Sequence, residues 1–139
     1  LARNVLLKEF RVDDYVESLG KTIGEELLSI HKSYLNVTKD ILKKEWLVGI
    51  SHITGGGIVN NTNRILDDGQ SIDVNWSAWD IPPIFKLIQD LGNVSDEEMR
   101  KSMNLGIGII YIVKPEGSTA FESHMASLDQ KIYNIGIVK

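Results

Sequence analysis

The sequence predicts an α/β (α+β) fold, a mixed sheet of four or more strands with helices on both faces. Three features carry this expectation. Segments of helical and strand periodicity alternate over the last two thirds of the chain. Ile107–Val113 is apolar throughout, the pattern of a central strand covered on both faces. The chain has 139 residues, 42% hydrophobic and 24% charged, enough for one sizeable core, which excludes a disordered or fibrous chain.

The elements follow in order. Leu1–Lys8 has helical spacing at Leu1, Val5 and Leu6. Ile23–Ile30 reads as a short second helix, interrupted around Gly20 and Gly24. Tyr34, Val37 and Ile41 fall at i, i+3 and i+7 and predict an amphipathic helix over 34–43. Trp46–Ile53 switches to a strand, and a helix starts after Gly55-Gly56-Gly57 and runs towards Leu66. Asp67-Asp68-Gly69 is a turn signal, and Ser71–Asn75 alternates as a half-exposed strand. Asp80-Ile81-Pro82-Pro83 reads as a helix start, an Asp cap with prolines in the first turn, and Gly92 ends that helix. Ser95 with Glu98 predicts a capping box and another short helix. The strand Ile107–Val113, a helix marked by Phe121, Met125 and Leu128, and a last strand Ile132–Val138 complete the order. That order is three helices, then β-α-β-α-α-β-α-β.

Composition narrows the function. Fifteen basic against nineteen acidic residues give a net charge of −4, which disfavours a dedicated nucleic-acid binder. The absence of cysteine excludes disulfides, thiolate metal sites and a cysteine nucleophile, and fits a reducing compartment. No apolar run approaches the roughly 20 residues of a membrane span. Glu9, Asp13 and Asp14 make the start too acidic for a transit peptide, so a cytoplasmic location is expected. The chain begins at Leu1 with a helix already under way, and is expected to be a piece of a longer protein.

The segment His52-Ile53-Thr54-Gly55-Gly56-Gly57 has the logic of an anion site. A strand ends, glycines let backbone approach a ligand, and the following helix start presents unpaired N–H groups. Asn61 and Arg64 lie on that helix, and the Arg64 guanidinium is suited to clamp a phosphate bidentately. The alternative is a tight turn without a ligand. His52 is either a general acid/base or a packed strand histidine; His31 and His124 lie far from it in sequence.

Asn104-Leu105-Gly106-Ile107-Gly108 is a second candidate, either a close backbone approach to a ligand or packing glycines. Trp76, Trp79 and Phe85 around Pro82-Pro83 read as core rather than as a peptide-binding patch. The acidic groups at 13–14, 67–68 and 96–98 sit at turns and helix starts, so no metal is assigned to them.

Taken as an ordered set, these segments resemble one family. They are His52–Gly57, Asn61 with Arg64-Ile65-Leu66, Trp79-Asp80-Ile81-Pro82-Pro83-Ile84-Phe85, Gly92-Asn93-Val94 with Glu98-Met99, Asn104–Gly108 and Ile135-Gly136. The set is similar to the C-terminal domain of the phosphoribosylformylglycinamidine cyclo-ligase (AIR synthase) family, over nearly all of residues 1–139. The resemblance implies a three-layer α/β/α fold and a ligase of purine biosynthesis. Formylglycinamidine ribonucleotide is activated by ATP on its formyl oxygen and closes to the imidazole ring of aminoimidazole ribonucleotide. ATP and Mg²⁺ belong to an N-terminal domain absent from this chain, which also forms a homodimer. This domain alone is expected to hold neither and to be inactive. Carried over residue by residue, Thr54, Gly55, Gly56, Gly57, Asn61 and Arg64 are substrate-side contacts, and Asn104, Gly106 and Gly108 are supporting positions. The role of His52 stays open.

The chain departs from the family pattern in places. The family usually has Pro-Thr-Arg-Ile-Tyr where this chain has Ile30-His31-Lys32-Ser33-Tyr34. Lysine at 32 lacks the planar fork of arginine. Asn63 stands for a proline, and Met103 for a phenylalanine. Two other readings remain: a relative of amidotransferase, selenophosphate synthetase or thiamine-phosphate kinase type, and a non-catalytic phosphate-binding or docking module. Neither nucleic acid nor membrane is an expected partner.

Overall fold

The computed structural model describes residues 1–139. Helix α1 (Ala2–Glu9) sends Leu6 fully into the core. A short hairpin follows that the periodicity did not signal: β1 (Tyr15–Val16) pairs antiparallel with β2 (Lys21–Thr22). Helix α2 (Ile23–Leu27) opens on a complete capping box. The Thr22 hydroxyl accepts from the Glu25 N–H at 3.2 Å, and the Glu25 carboxylate accepts from the Thr22 N–H at 2.8 Å. Reciprocal bonding satisfies donors that a helix start leaves free.

Helix α3 (Leu35–Thr38) is shorter than the expected 34–43. The apolar spacing still does its work, because Val37 and Ile41 are both buried. Beyond Thr38 the chain tightens into three-residue turns, with Ile41 N–H on Thr38 O and Lys44 N–H on Ile41 O. The next elements are β3 (Leu47–His52), α4 (Gly57–Asn63), β4 (Ile72–Val74) and α5 (Pro83–Gly92). Then come α6 (Asp96–Ser102), β5 (Ile109–Val113), α7 (Ser118–Ser127) and β6 (Gly136–Val138). Only half of the expected Ser95–Glu98 capping box forms. Ser95 Oγ accepts from the Glu98 N–H, while the Glu98 carboxylate accepts from Ser102 Oγ instead.

The fold is mixed α/β, but the single sheet of four or more strands does not form. Strands pair two by two, β3 with β5 and β4 with β6, both antiparallel. The pairing skips the neighbour in sequence each time, so β5 is not a central strand with a partner on either edge. The β4–β6 ladder is a short ribbon, extended by mutual bonds between Ser71 and Lys139 and by the Asn75 N–H on Ile135 O.

The β3–β5 ladder has helices on both faces, as expected. Successive side chains of a strand point to opposite faces. Ile110 joins the main core with Ile53, Ile58, Ile107 and Met99, on the side of α4 and α6. Tyr111 faces the other way, onto a second core of Val37, Ile41 and Met125 from α3 and α7. Tyr111 Oη and Thr38 Oγ1 are hydrogen-bonded at 2.6 Å, which anchors α3 to this face. The register slips at Val48, where a bulge leaves that side chain exposed. No helix is long and apolar enough to cross a membrane.

The segment before β5 is held by a buried tryptophan. Leu105 has φ +52°, a left-handed conformation costing a non-glycine residue about 1–2 kcal/mol. Its side chain is 4% exposed, and burying a leucine returns roughly 1.5–3 kcal/mol, so packing wins. The Trp79 indole N–H also donates to Leu105 O at 2.8 Å, inside the core. Trp79→Phe removes that donor from a buried carbonyl, and a loss of about 1–3 kcal/mol in folding free energy is expected in urea denaturation. An unchanged midpoint would show that the indole bond does not hold this turn.

Candidate functional site

The C-terminal end of β3 runs straight into the glycine turn. Ile53 stays in the ladder, its N–H donating to Gly108 O at 2.9 Å, while Thr54 and Gly55 emerge at the surface. Gly56 and Gly57 then take φ of +104° and +69°, values an L side chain resists, and α4 begins. Space adds a second constraint at Gly57: a Cβ there would stand 1.9 Å from Arg100 O at the end of α6. Gly55 by contrast meets nothing within 4 Å of a Cβ position and faces open space.

Asn61 closes the turn from below. Its side-chain amide nitrogen lies 2.8 Å from Gly57 O, 3.3 Å from Gly55 O and 3.4 Å from Thr54 O. Residue 61 is buried, and its NH₂ donors are directed at loop carbonyls. Its oxygen accepts from Arg64 Nη1 at 3.3 Å. Arg64, the C-cap residue just past α4, is exposed and makes no other protein hydrogen bond. Thr54, Gly55, Gly57, Asn61 and Arg64, expected together with Gly56, are therefore joined by one chain of hydrogen bonds. Within it Asn61 serves the backbone, and Arg64 is the charge that faces outward.

The second stretch lies beside the first. Ile107 N–H returns to Asn104 O at 3.0 Å across a turn with positive φ at both Leu105 and Gly106. Asn104 Oδ1 accepts from the Gly106 N–H at 3.0 Å, so its amide oxygen shapes the turn. At Gly108, the residue opposite Ile53, a Cβ would stand 2.0 Å from Tyr34 Oη. The absent side chain lets the Tyr34 ring lie over the start of β5. Burial pushes the Tyr34 phenol above its ordinary pKa, so it stays protonated at neutral pH.

Tyr34 brings a segment to the site that sequence distance concealed. An open cleft of about 400 Å³ is lined by His31, Lys32, Tyr34, Leu35, Thr38, His52 and Ile109. His52 Nε2 lies 3.4 Å from His31 Nε2, although 21 residues separate them. Sequence reasoning set His31 aside, and only the departure at 30–33 marked this segment. His124 does lie elsewhere, its Nε2 within 3.0 Å of Val37 O. The glycine turn and this cleft are adjacent at His52, the last residue of β3, but none of residues 54–57, 61 and 64 lines the cleft.

Comparison with known proteins agrees with the extent of these motifs. Residues 5–139 match the family described as AIR synthase related protein, C-terminal domain. A phosphoribosylformylglycinamidine cyclo-ligase of Carboxydothermus hydrogenoformans is 42% identical over 140 residues, covering 98% of this chain and 40% of that protein. The protein of that name from Pseudothermotoga lettingae is 38% identical over 136 residues, again 98% of this chain and 40% of its own length. The chloroplastic one of Arabidopsis thaliana is 34% identical over 139 residues, 99% of this chain and 36% of that protein. The chain spans about two fifths of the length of the curated relatives it matches. On the end-to-end family match, the chain belongs to the AIR synthase related proteins, as their C-terminal domain.

Proposed function

We propose that residues 1–139 form the substrate-side domain of a phosphoribosylformylglycinamidine cyclo-ligase. The full-length enzyme closes formylglycinamidine ribonucleotide to aminoimidazole ribonucleotide with ATP, in a reducing, cytoplasmic setting. The observation that carries this reading is the end-to-end similarity, at 38% identity, to a protein with that name. The glycine turn supports it. Phosphoryl transfer and ring closure depend on positioning and on charge stabilisation, and a turn with an outward arginine supplies both for a ribonucleotide phosphate. In this reading Arg64 binds the phosphate and Thr54 to Gly56 supply backbone N–H groups, while the Gly57 N–H donates to Thr54 O at 3.3 Å and closes the turn. Asn61 holds the turn in shape, and Asn104, Gly106 and Gly108 shape the neighbouring wall. His52 borders the ligand as a hydrogen-bonding group.

A Mg²⁺ ion does not fit this chain's own residues. Nowhere do three or more His, Asp or Glu side chains converge as a cation cage. We assign the Mg²⁺, and with it the ATP it accompanies and the homodimer contact, to the remaining three fifths of the full-length protein.

The full-length protein, given formylglycinamidine ribonucleotide and ATP, is expected to release ADP only when both are present. ADP release that ignores the ribonucleotide would overturn the proposal. Arg64→Ala in that protein should raise KM for the ribonucleotide roughly tenfold with kcat little changed, the signature of a lost phosphate contact. Its stability should move by no more than about 0.5 kcal/mol, since the side chain is exposed. Asn61→Ala should behave in the opposite way, with the loop carbonyls losing their donor and folding stability falling by about 1–3 kcal/mol in urea denaturation. Equal KM effects without a stability difference would show that the two roles are misassigned.

A further inference from the structure

We propose that His31 and His52 together bind a divalent transition-metal ion of the Zn²⁺, Ni²⁺ or Cu²⁺ type at the mouth of the cleft. The two Nε2 atoms lie 3.4 Å apart while the ring centroids are 5.5 Å apart, so the nitrogens occupy the facing edges of the rings. A separation of 3.4 Å is long for an N–H donor on a nitrogen acceptor, which settles nearer 2.9–3.0 Å, roughly the mode for protein N–H donors. It is the span that two imidazoles adopt on one tetrahedral ion. With metal–nitrogen distances of about 2.0–2.1 Å and a tetrahedral angle, the two nitrogens stand about 3.3–3.4 Å apart.

Neither imidazole makes another hydrogen bond to a protein side chain or backbone group, so no other protein group competes with an ion for either Nε2. The rings are held by different parts of the fold. His52 ends β3, and His31 packs edge-on against Tyr34, which is itself fixed over Gly108. Two protein ligands leave the other tetrahedral positions open to the cleft, where water or an anionic oxygen completes the shell. Imidazole donors select borderline transition metals over Mg²⁺, which takes oxygen ligands. This site is therefore different in kind from a nucleotide-bound Mg²⁺, and the inference stands whether or not the proposed ligase function does.

This domain has three histidines and no cysteine, so single substitutions within it assign the ligands. Titration of the full-length protein with Cu²⁺ and with Zn²⁺, by calorimetry and, for Cu²⁺, by electron paramagnetic resonance, is expected to show one equivalent, bound by two nitrogen ligands, that depends on both His31 and His52. His31→Thr should weaken binding by about tenfold or more, at least the 10–100-fold cost of losing even an outer-shell partner. His52→Asn should do the same, and His124→Gln should leave affinity unchanged. Circular dichroism and thermal melts of each variant separate ligand loss from unfolding, and residue 31 lies in an exposed segment without regular structure. Affinity insensitive to His31→Thr in a folded variant, a loss confined to His124→Gln, or a single nitrogen ligand in the resonance spectrum would overturn the proposal.

Discussion

The antiparallel pairing of β3 with β5 is the constraint on which the rest of the molecule depends. It separates two cores, with Ile110 and Tyr111 pointing to opposite sides. It also sets the site, because its last bond, from the Ile53 N–H to Gly108 O, is made where both strands leave the ladder. Beyond that bond the two exits diverge into the glycine turn on one side and the Asn104–Gly106 turn on the other. Each candidate stretch is therefore placed by one register. A slip of one residue would turn Ile110 from the main core to the second and carry His52 away from His31.

The site needs backbone, not side chains, at its two closest approaches. Gly57 meets the end of α6, and Gly108 meets the hydroxyl of Tyr34. A Cβ at Gly57 would meet backbone, whereas one at Gly108 would meet the far end of the Tyr34 side chain and force that ring to move; only Gly57 has an unusual φ. Gly57 is needed for both conformation and space, whereas Gly108 is needed for space alone. That difference explains why the glycine turn stood out in the sequence as a site and Gly108 could as well be read as a packing glycine. A glycine doublet at a helix start has a local signature, but a steric demand set by a tyrosine 74 positions earlier has none.

The same division runs through the whole fold. Local rules were legible: a helix start at the prolines (although Pro82, not Asp80, is the N-cap), the Ser95 cap, the turn at residues 67–69, and the buried faces of Val37, Ile41 and Met125. Pairings between distant segments were not. Strand periodicity identifies residues 72–74 and 109–113 but says nothing about which strand lies beside which, so one sheet was expected where two ladders form. The Tyr15–Thr22 hairpin has two-residue strands, too short for alternation to register. His31 faces His52 through a segment with no regular structure, which no periodicity can place. Asn61 was legible as part of the site, but its hydrogen bonds to three loop carbonyls required the turn itself to be seen.

The relative weight of the charges at the proposed phosphate site follows from how α4 and α6 meet. A helix start favours an anion by about 0.3–1 kcal/mol at an exposed position. Here the start of α4 packs against the Arg100 carbonyl at the C-terminal end of α6, so the negative end of one helix lies against the positive end of the other. That contact satisfies part of the α4 dipole within the protein and leaves less of it for a ligand. Asn61 also directs its amide hydrogens to the loop carbonyls, away from an incoming phosphate. Arg64 is not diminished in this way: its one protein bond is a 3.3 Å contact to Asn61 Oδ1, and it keeps free donors on an exposed guanidinium. A hydrogen bond between charged groups contributes roughly 1.5–3 kcal/mol, more than the residual helix term. In the proposed function, then, the glycine turn determines where the phosphate lies and Arg64 supplies most of the affinity.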